Sequence, residues 1–172
     1  MSTAPDKSFL DLIEENKKII FKICNSYCPN KEQRDDLAQE IVYHLWKSYQ
    51  AYNHNLKFST WMYRIALNVA ISFYRKEKKW KPHVVITEHL VLFENTVDPE
   101  NENKLNLLLQ FIHQLKEIDK SVMLLYLDDK SYREIAEITG ISESNVATKI
   151  NRIKERLKSN FLTTQKNHYG TN

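Results

Sequence analysis

Gly140 is the only glycine in the first 169 residues of this chain, and just four prolines share that length. Strands and their connecting turns need denser punctuation. The chain is therefore expected to be all-α, with long helices and few turns. A hydrophobic share of 42% supports a core and argues against wholesale disorder. Gly140 itself sits in SYREIAEITGISESNVATKINRIKERL. There Ser131 suits an N-cap, and Glu134 three residues on closes a capping box. Ile135, Ala136 and Ile138 supply the buried side of a short helix, and Gly140 the positive φ of its C-terminus. Ile141 plugs the turn, and Ser142 suits the next N-cap. Val146, Ile150, Ile153 and Leu157 then form one apolar stripe. Ser144, Asn145, Thr148, Lys149, Arg152, Lys154 and Arg156 occupy the other faces. A packed back, a polar and basic front and a turn crossing two helices make a helix-turn-helix, which points to DNA. A plain helical hairpin with a solvated outer face would share the apolar pattern.

The net charge of +3 hides a stronger arrangement. Residues 57–81 hold seven bases against Glu77, and residues 130–166 hold eight bases against four acids. Between them, residues 82–107 hold five acids against Lys104. Two basic blocks around an acidic connector suit a polyanion gripped in two places. No apolar run approaches the ~20 residues of a membrane span. The N-terminus is acidic and lacks the apolar core of a signal peptide, so a cytoplasmic protein without membrane insertion is expected. Cys24 and Cys28, the only cysteines, are expected to be small core residues, with no disulfide. No metal is expected, because no His or Cys lies close in sequence to complete a site.

Upstream, a first helix is expected from about Ser8 to Tyr27, burying Phe9, Leu12, Ile13, Ile20, Ile23 and Tyr27 and stopped by Pro29. A second is expected from near Asn30 to about Tyr49, with Leu37, Ile41, Leu45 and Tyr49 inward. After the loop QAYNHNLKF, Ser59 is expected to cap a third helix carrying Trp61, Ile65, Val69 and Phe73 and ending in RKEKKWK. The expected organisation is two small helical domains, residues 1–81 and 104–172, joined by a linker over 82–103. In the second domain, Leu105, Leu108, Leu109, Ile112 and Leu115 mark one helix. Asp119 is expected to cap the next, which carries Val122, Leu125 and Tyr126.

Two further stretches carry signatures. In DDLAQEIVYHLWKSY, Asp36, Gln39, Glu40 and Tyr43 share one polar face, which by itself reads as a solvated surface. FSTWMYRIALNVAISFYRKEKK interleaves aromatics with bases beside a polar loop. Such a segment can hold unstacked bases, or be core plus a solvated basic tail. With the helix-turn-helix behind them at this distance, these stretches resemble the extracytoplasmic-function sigma factors of bacterial RNA polymerase, members of the sigma-70 family. The phrase FSTWMYRIALN carries most of the specificity, and the resemblance spans roughly residues 8–160.

The resemblance implies a dissociable initiation subunit that binds core RNA polymerase, through the β′ clamp helices and the β flap, and promoter DNA. It also implies control by an anti-sigma factor. Core-binding residues would be Asp36, Gln39, Glu40, Tyr43 and Trp46. The first domain would read and open the -10 element. Its loop residues would be Tyr52, Asn53, Asn55, Lys57 and Phe58, and its helix residues Trp61, Arg64, Asn68, Lys76, Lys78 and Lys79. The second domain would bind the -35 element through Ser131, Tyr132, Ser142, Ser144, Asn145, Thr148, Lys149, Arg152 and Arg156. Leu67, Ser72 and Ala147 depart from the family's commoner residues, which is expected to bear on promoter choice.

The rival reading is a helix-turn-helix regulator with an N-terminal dimerisation or sensing domain. An enzyme is not expected. The chain has no Gly-rich phosphate loop, and its six histidines form no HExxH-type spacing. No catalytic residue and no cofactor are assigned.

Overall fold

In a computed structural model, backbone is described for residues 8–80, 107–108 and 110–169, and side-chain burial for these residues except 78–80 and 164–169. The expected linker and its flanks, including Leu105 and Leu109, lie outside the described residues, as do the side chains of Lys78 and Lys79. The chain divides into two compact units, Met1–Glu94 and Asn95–Asn172. All regular elements among the described residues are helical.

The first unit packs three helices against one another: α1 (Phe9–Tyr27), α2 (Lys31–Ser48) and α3 (Phe58–Trp80). Ser8 caps α1, and its hydroxyl accepts from the Asp11 amide while Asp11 accepts from the Ser8 amide, a full capping box. Asn30 caps α2 by accepting from the Gln33 amide at 2.8 Å. After Ser48 the chain tightens into a 3-10 turn, Tyr49–Ala51. Gln33 Nε2 donates to Glu77 Oε2 at 2.9 Å, tying the start of α2 to the last turns of α3. Ile23, Leu37, Ile41, Leu45, Met62 and Ala66 are sealed from solvent. Each large aliphatic among them contributes ~1.5–3 kcal/mol through burial. Cys24 and Cys28 lie buried and form no disulfide. Burial pushes the Cys24 thiol up to about 12, so at neutral pH it holds no thiolate.

Three expectations shift here. The third helix begins at Phe58, so Ser59 lies in its first turn and is no cap. Lys57 is the residue whose carbonyl accepts from the Thr60 and Trp61 amides. The fully buried stripe of α3 is Met62, Tyr63, Ala66, Leu67, Ala70 and Ile71, whereas Trp61, Ile65, Val69 and Phe73 flank it half-buried. The small alanines let α3 approach its neighbours, which moves the seam onto them. Leu67 is therefore core.

The second unit holds a helical stretch at 107–108 and 110–113, then α4 (Glu117–Leu127), α5 (Tyr132–Thr139) and α6 (Glu143–Tyr169). Phe111, Ile112, Leu115, Met123 and Ile153 form one core cluster, with Leu108, Tyr126 and Leu157 packed on its edge. Asp119 is not the cap of α4: Lys116 holds that position without a side-chain bond, and Asp119 sits in the first turn. The α4 C-terminus closes through bonds from the Asp129 amide to the Tyr126 carbonyl and from the Lys130 amide to the Leu125 carbonyl. That is the Schellman pattern, with Asp129 at φ 55 where glycine is usual.

The helix-turn-helix forms as its sequence dictates. Ser131 and Glu134 make a reciprocal capping box at 3.2 and 2.9 Å. Gly140 ends α5 at φ 74 and donates to the Ala136 carbonyl at 2.9 Å. Ser142 accepts from the Asn145 amide at 3.2 Å. A Cβ on Gly140 would meet nothing within 4 Å, so only the left-handed backbone opposes substitution. Gly140→Ala should therefore destabilise the second unit by ~1–2 kcal/mol. Urea unfolding of the full chain followed by circular dichroism checks this, and an unchanged midpoint would exclude the strain.

Candidate nucleic-acid interfaces and a docking groove

The first unit carries an uncovered apolar groove. Ser8, Phe9 and Leu10 of the α1 start face Ala38, Gln39, Val42, Tyr43 and Trp46 of α2. Leu10 is 75% exposed, Trp46 64% and Tyr43 54%. These are large apolar side chains held on two packed helices and left in water, the pattern of an interaction surface. Of the residues anticipated for a docking face, Gln39, Tyr43 and Trp46 line the groove, while Asp36 and Glu40 lie outside its lining. The centre of the groove is thus apolar. Phe9, Leu10 and Val42 also line the groove and were not among the residues anticipated for docking. Leu10 gives a signal in hindsight, because it falls off the apolar stripe of α1.

Beside the groove stands a loop held by rings. Tyr52 lies 4.9 Å from Trp61, 5.5 Å from Phe58 and 4.8 Å from His54. Tyr49 stacks on Tyr52 at 6.1 Å. The Tyr52 hydroxyl donates to the Leu56 carbonyl, and burial, reinforced by Tyr49, raises its pKa, so it stays a donor. Asn53 folds the tip: its side-chain oxygen accepts from the Asn55 amide at 3.0 Å and its carbonyl from the Leu56 amide at 2.9 Å. Phe58 is buried beneath the rings and supports them from below. Asn53, His54, Asn55 and Lys57 are exposed at the tip. His54, absent from the anticipated set, is brought in by its contact with Tyr52. On α3, half-buried Trp61 and exposed Arg64 and Asn68 follow at i, i+3 and i+7, one face leading away from the loop toward exposed Lys76. The arrangement offers ring edges and amides to an unstacked base, and cations to its backbone.

In the second unit Ser144, Asn145, Thr148, Arg152 and Arg156 are exposed along one side of α6. The Arg156 guanidinium lies 6.0 Å from the Phe111 ring centroid. Ser131 and Ser142 use their hydroxyls in caps, and Tyr132 lies 6.4 Å from Tyr126. Thr148 donates to the Ser144 carbonyl at 2.9 Å, leaving its oxygen lone pairs and methyl outward. Lys149 differs from this set. Its ammonium bonds Asp119 Oδ1 at 2.6 Å, with both side chains mostly buried. It pins α6 to the first turn of α4. Lys154 bonds the Tyr126 hydroxyl at 2.6 Å, which raises its pKa.

No group of three or more potential metal ligands occurs among the described residues, and no described helix is long and apolar enough to cross a membrane.

Comparison with known proteins adds independent findings. The profile of sigma-70 region 2 matches residues 12–80, and that of sigma-70 region 4 matches residues 105–157. The ECF RNA polymerase sigma factor SigW of Bacillus subtilis is 32% identical over 163 residues, which cover 88% of this chain and 87% of that protein. SigM of the same organism is 28% identical, covering 81% and 86%. Among solved structures, the sigma factor RpoE of Bartonella quintana in complex with the anti-sigma factor NepR superposes with a TM-score of 0.71. It is 16% identical, covering 88% of this chain and 94% of that one. CnrH in complex with the cytosolic domain of CnrY superposes with a TM-score of 0.66 at 18% identity, covering 90% and 88%.

Proposed function

The chain belongs to the extracytoplasmic-function sigma factors of the sigma-70 family, and from that premise we propose how its residues divide the work of promoter-specific transcription initiation. Its partners are core RNA polymerase and promoter DNA, and it acts by binding them. The N-terminal domain, residues 1–81, takes the β′ clamp helices in the groove of Tyr43 and Trp46, with Asp36, Gln39 and Glu40 at its polar margin. The loop of Tyr52, Asn53 and Asn55 receives a base flipped from the -10 element. Trp61, Arg64 and Asn68 meet the edge of the opened duplex, and Lys57, Lys76, Lys78 and Lys79 hold phosphates. Flipping costs a few kcal/mol, offset by stacking and hydrogen bonds in a fitted pocket. The C-terminal domain, residues 104–172, lays α6 in the major groove at the -35 element, and core polymerase also engages this chain through its β flap. The factor works in the cytoplasm and performs no chemistry of its own. An anti-sigma factor restrains it, as NepR is found bound to the related fold of RpoE.

The observation that carries this reading is the coexistence, in one small unit, of an uncovered apolar groove and a ring-braced polar loop beside basic helix surface. A regulator reading only duplex DNA has no use for the second feature. Run-off transcription with purified core polymerase tests the whole, and two substitutions test the -35 assignment. Arg152→Ala should leave the unfolding midpoint unchanged. It should weaken promoter binding by ~1–3 kcal/mol at one base position, or uniformly with a salt slope lower by about one. Lys149→Ala should instead lower the midpoint, because it strands Asp119 beneath α6, and adding Asp119→Ala should recover part of the loss. Equal promoter affinity in Arg152→Ala and wild type would remove Arg152 from the interface.

A further inference from the structure

Phe9 belongs to two neighbouring features at once. Its side chain lines the groove with Leu10, Val42 and Trp46. Its ring also lies 5.0 Å from the Tyr49 ring, tilted by 56°. Tyr49 stacks on Tyr52 with only 18° between the planes, and the Tyr52 hydroxyl anchors the loop at Leu56. Phe9 is therefore the outermost member of a series of rings that ends in the loop. The link in the middle, Tyr49, stands where α2 passes into the 3-10 turn: its amide donates to the Trp46 carbonyl and its carbonyl accepts from the Tyr52 amide at 3.0 Å. Its ring is set among those of Phe9, Tyr52, His54 and Trp61, and tilted ring pairs attract beyond the area they bury.

We propose that Phe9 is a positioning residue for the loop 52–57, acting through Tyr49 from a helix that begins some forty residues upstream. Its consequence for transcription rests on the reading of that loop as the base-receiving element.

Amide hydrogen exchange of the free, full chain reads the loop directly. The Asn55 and Leu56 amides are bonded to the Asn53 side-chain and backbone oxygens. Phe9→Ala should speed exchange at both by several-fold, up to about tenfold, while amides in the middle of α3 keep their wild-type rates. Phe9→Tyr should restore slow exchange. Leu10→Ala, which opens the same groove but is no part of the ring series, should leave the loop unchanged. Should Phe9→Ala loosen the whole unit, Phe9→Leu decides by the same two amides. With core polymerase at saturating concentration, Phe9→Ala should also reduce discrimination between intact and altered -10 elements several-fold, at unchanged -35 discrimination. Wild-type exchange at Asn55 and Leu56 in the variant overturns the proposal. Faster exchange with unaltered -10 discrimination upholds the positioning role and removes the loop as base reader.

Discussion

Ile150→Asp should unfold the C-terminal unit and abolish transcription that depends on the -35 element. Ile150 is fully sealed from solvent, on the same stripe of α6 as Val146 and Ile153. Removing its apolar side chain alone costs ~2–5 kcal/mol. The carboxylate adds a desolvation penalty of ~1–3 kcal/mol. A unit this small belongs near the lower end of the ~5–15 kcal/mol range of single domains, where the sum of the two costs matches its whole stability. Hydrogen exchange of the full chain checks this. Protection should vanish across α4–α6 and persist in α1–α3, and binding to core through the first unit should survive in weakened form. Full protection of α6 in the variant would mean that the stripe does not carry the core.

The second large effect is expected at the groove. Trp46→Ala and Tyr43→Ala should each weaken core polymerase binding by ~2 kcal/mol or more, because exposed aromatics at the centre of an interface are its usual hot spots. The two losses should not simply add, since the side chains share one pocket. Both residues are more than half exposed, so folding loses little when they go, and the unfolding midpoint should move by less than ~0.5 kcal/mol. A competition assay against labelled wild-type factor separates the two quantities. A double variant that competes as well as wild type would displace the docking site from this groove. Charge reversal at Asp36 and Glu40, which stand outside the lining, should cost less than either aromatic.

The helix-turn-helix was legible because each part of it is decided within a few residues. A cap, a box partner, one glycine and a four-residue apolar stripe fix it locally, and the observed bonds at Ser131, Gly140 and Ser142 are the ones expected. What was not legible depends on packing between distant segments. Phe58 and Leu67 looked available for DNA or promoter choice by their place in the motif, yet α3 turns them into its core. Lys149 reads as one more basic residue on α6 until Asp119, thirty residues away, is found beneath it. Ser59 and Asp119 have cap-forming side chains, but the chain starts its helices one or more residues earlier, at Phe58 and Glu117. The groove was hidden for the opposite reason. Gln39, Tyr43 and Trp46 were named in advance, but Phe9 reads as ordinary core and Val42 as a plain apolar residue of α2, and only the packed helices reveal that both line one uncovered surface.

The contrast between that groove and the basic surfaces gives ionic strength a divided effect. Contacts of Arg152, Arg156 and Lys76 with phosphates would release counterions, so added chloride weakens them steeply. Contacts of Leu10, Val42 and Trp46 release water instead, and strongly hydrated anions such as sulfate strengthen them. One small chain would then answer to salt with two opposite signs. With the groove as the polymerase site and these bases on phosphates, raising sulfate would drive the chain toward its protein partner while loosening its hold on DNA. An assay run at a single buffer composition samples only one balance between the two.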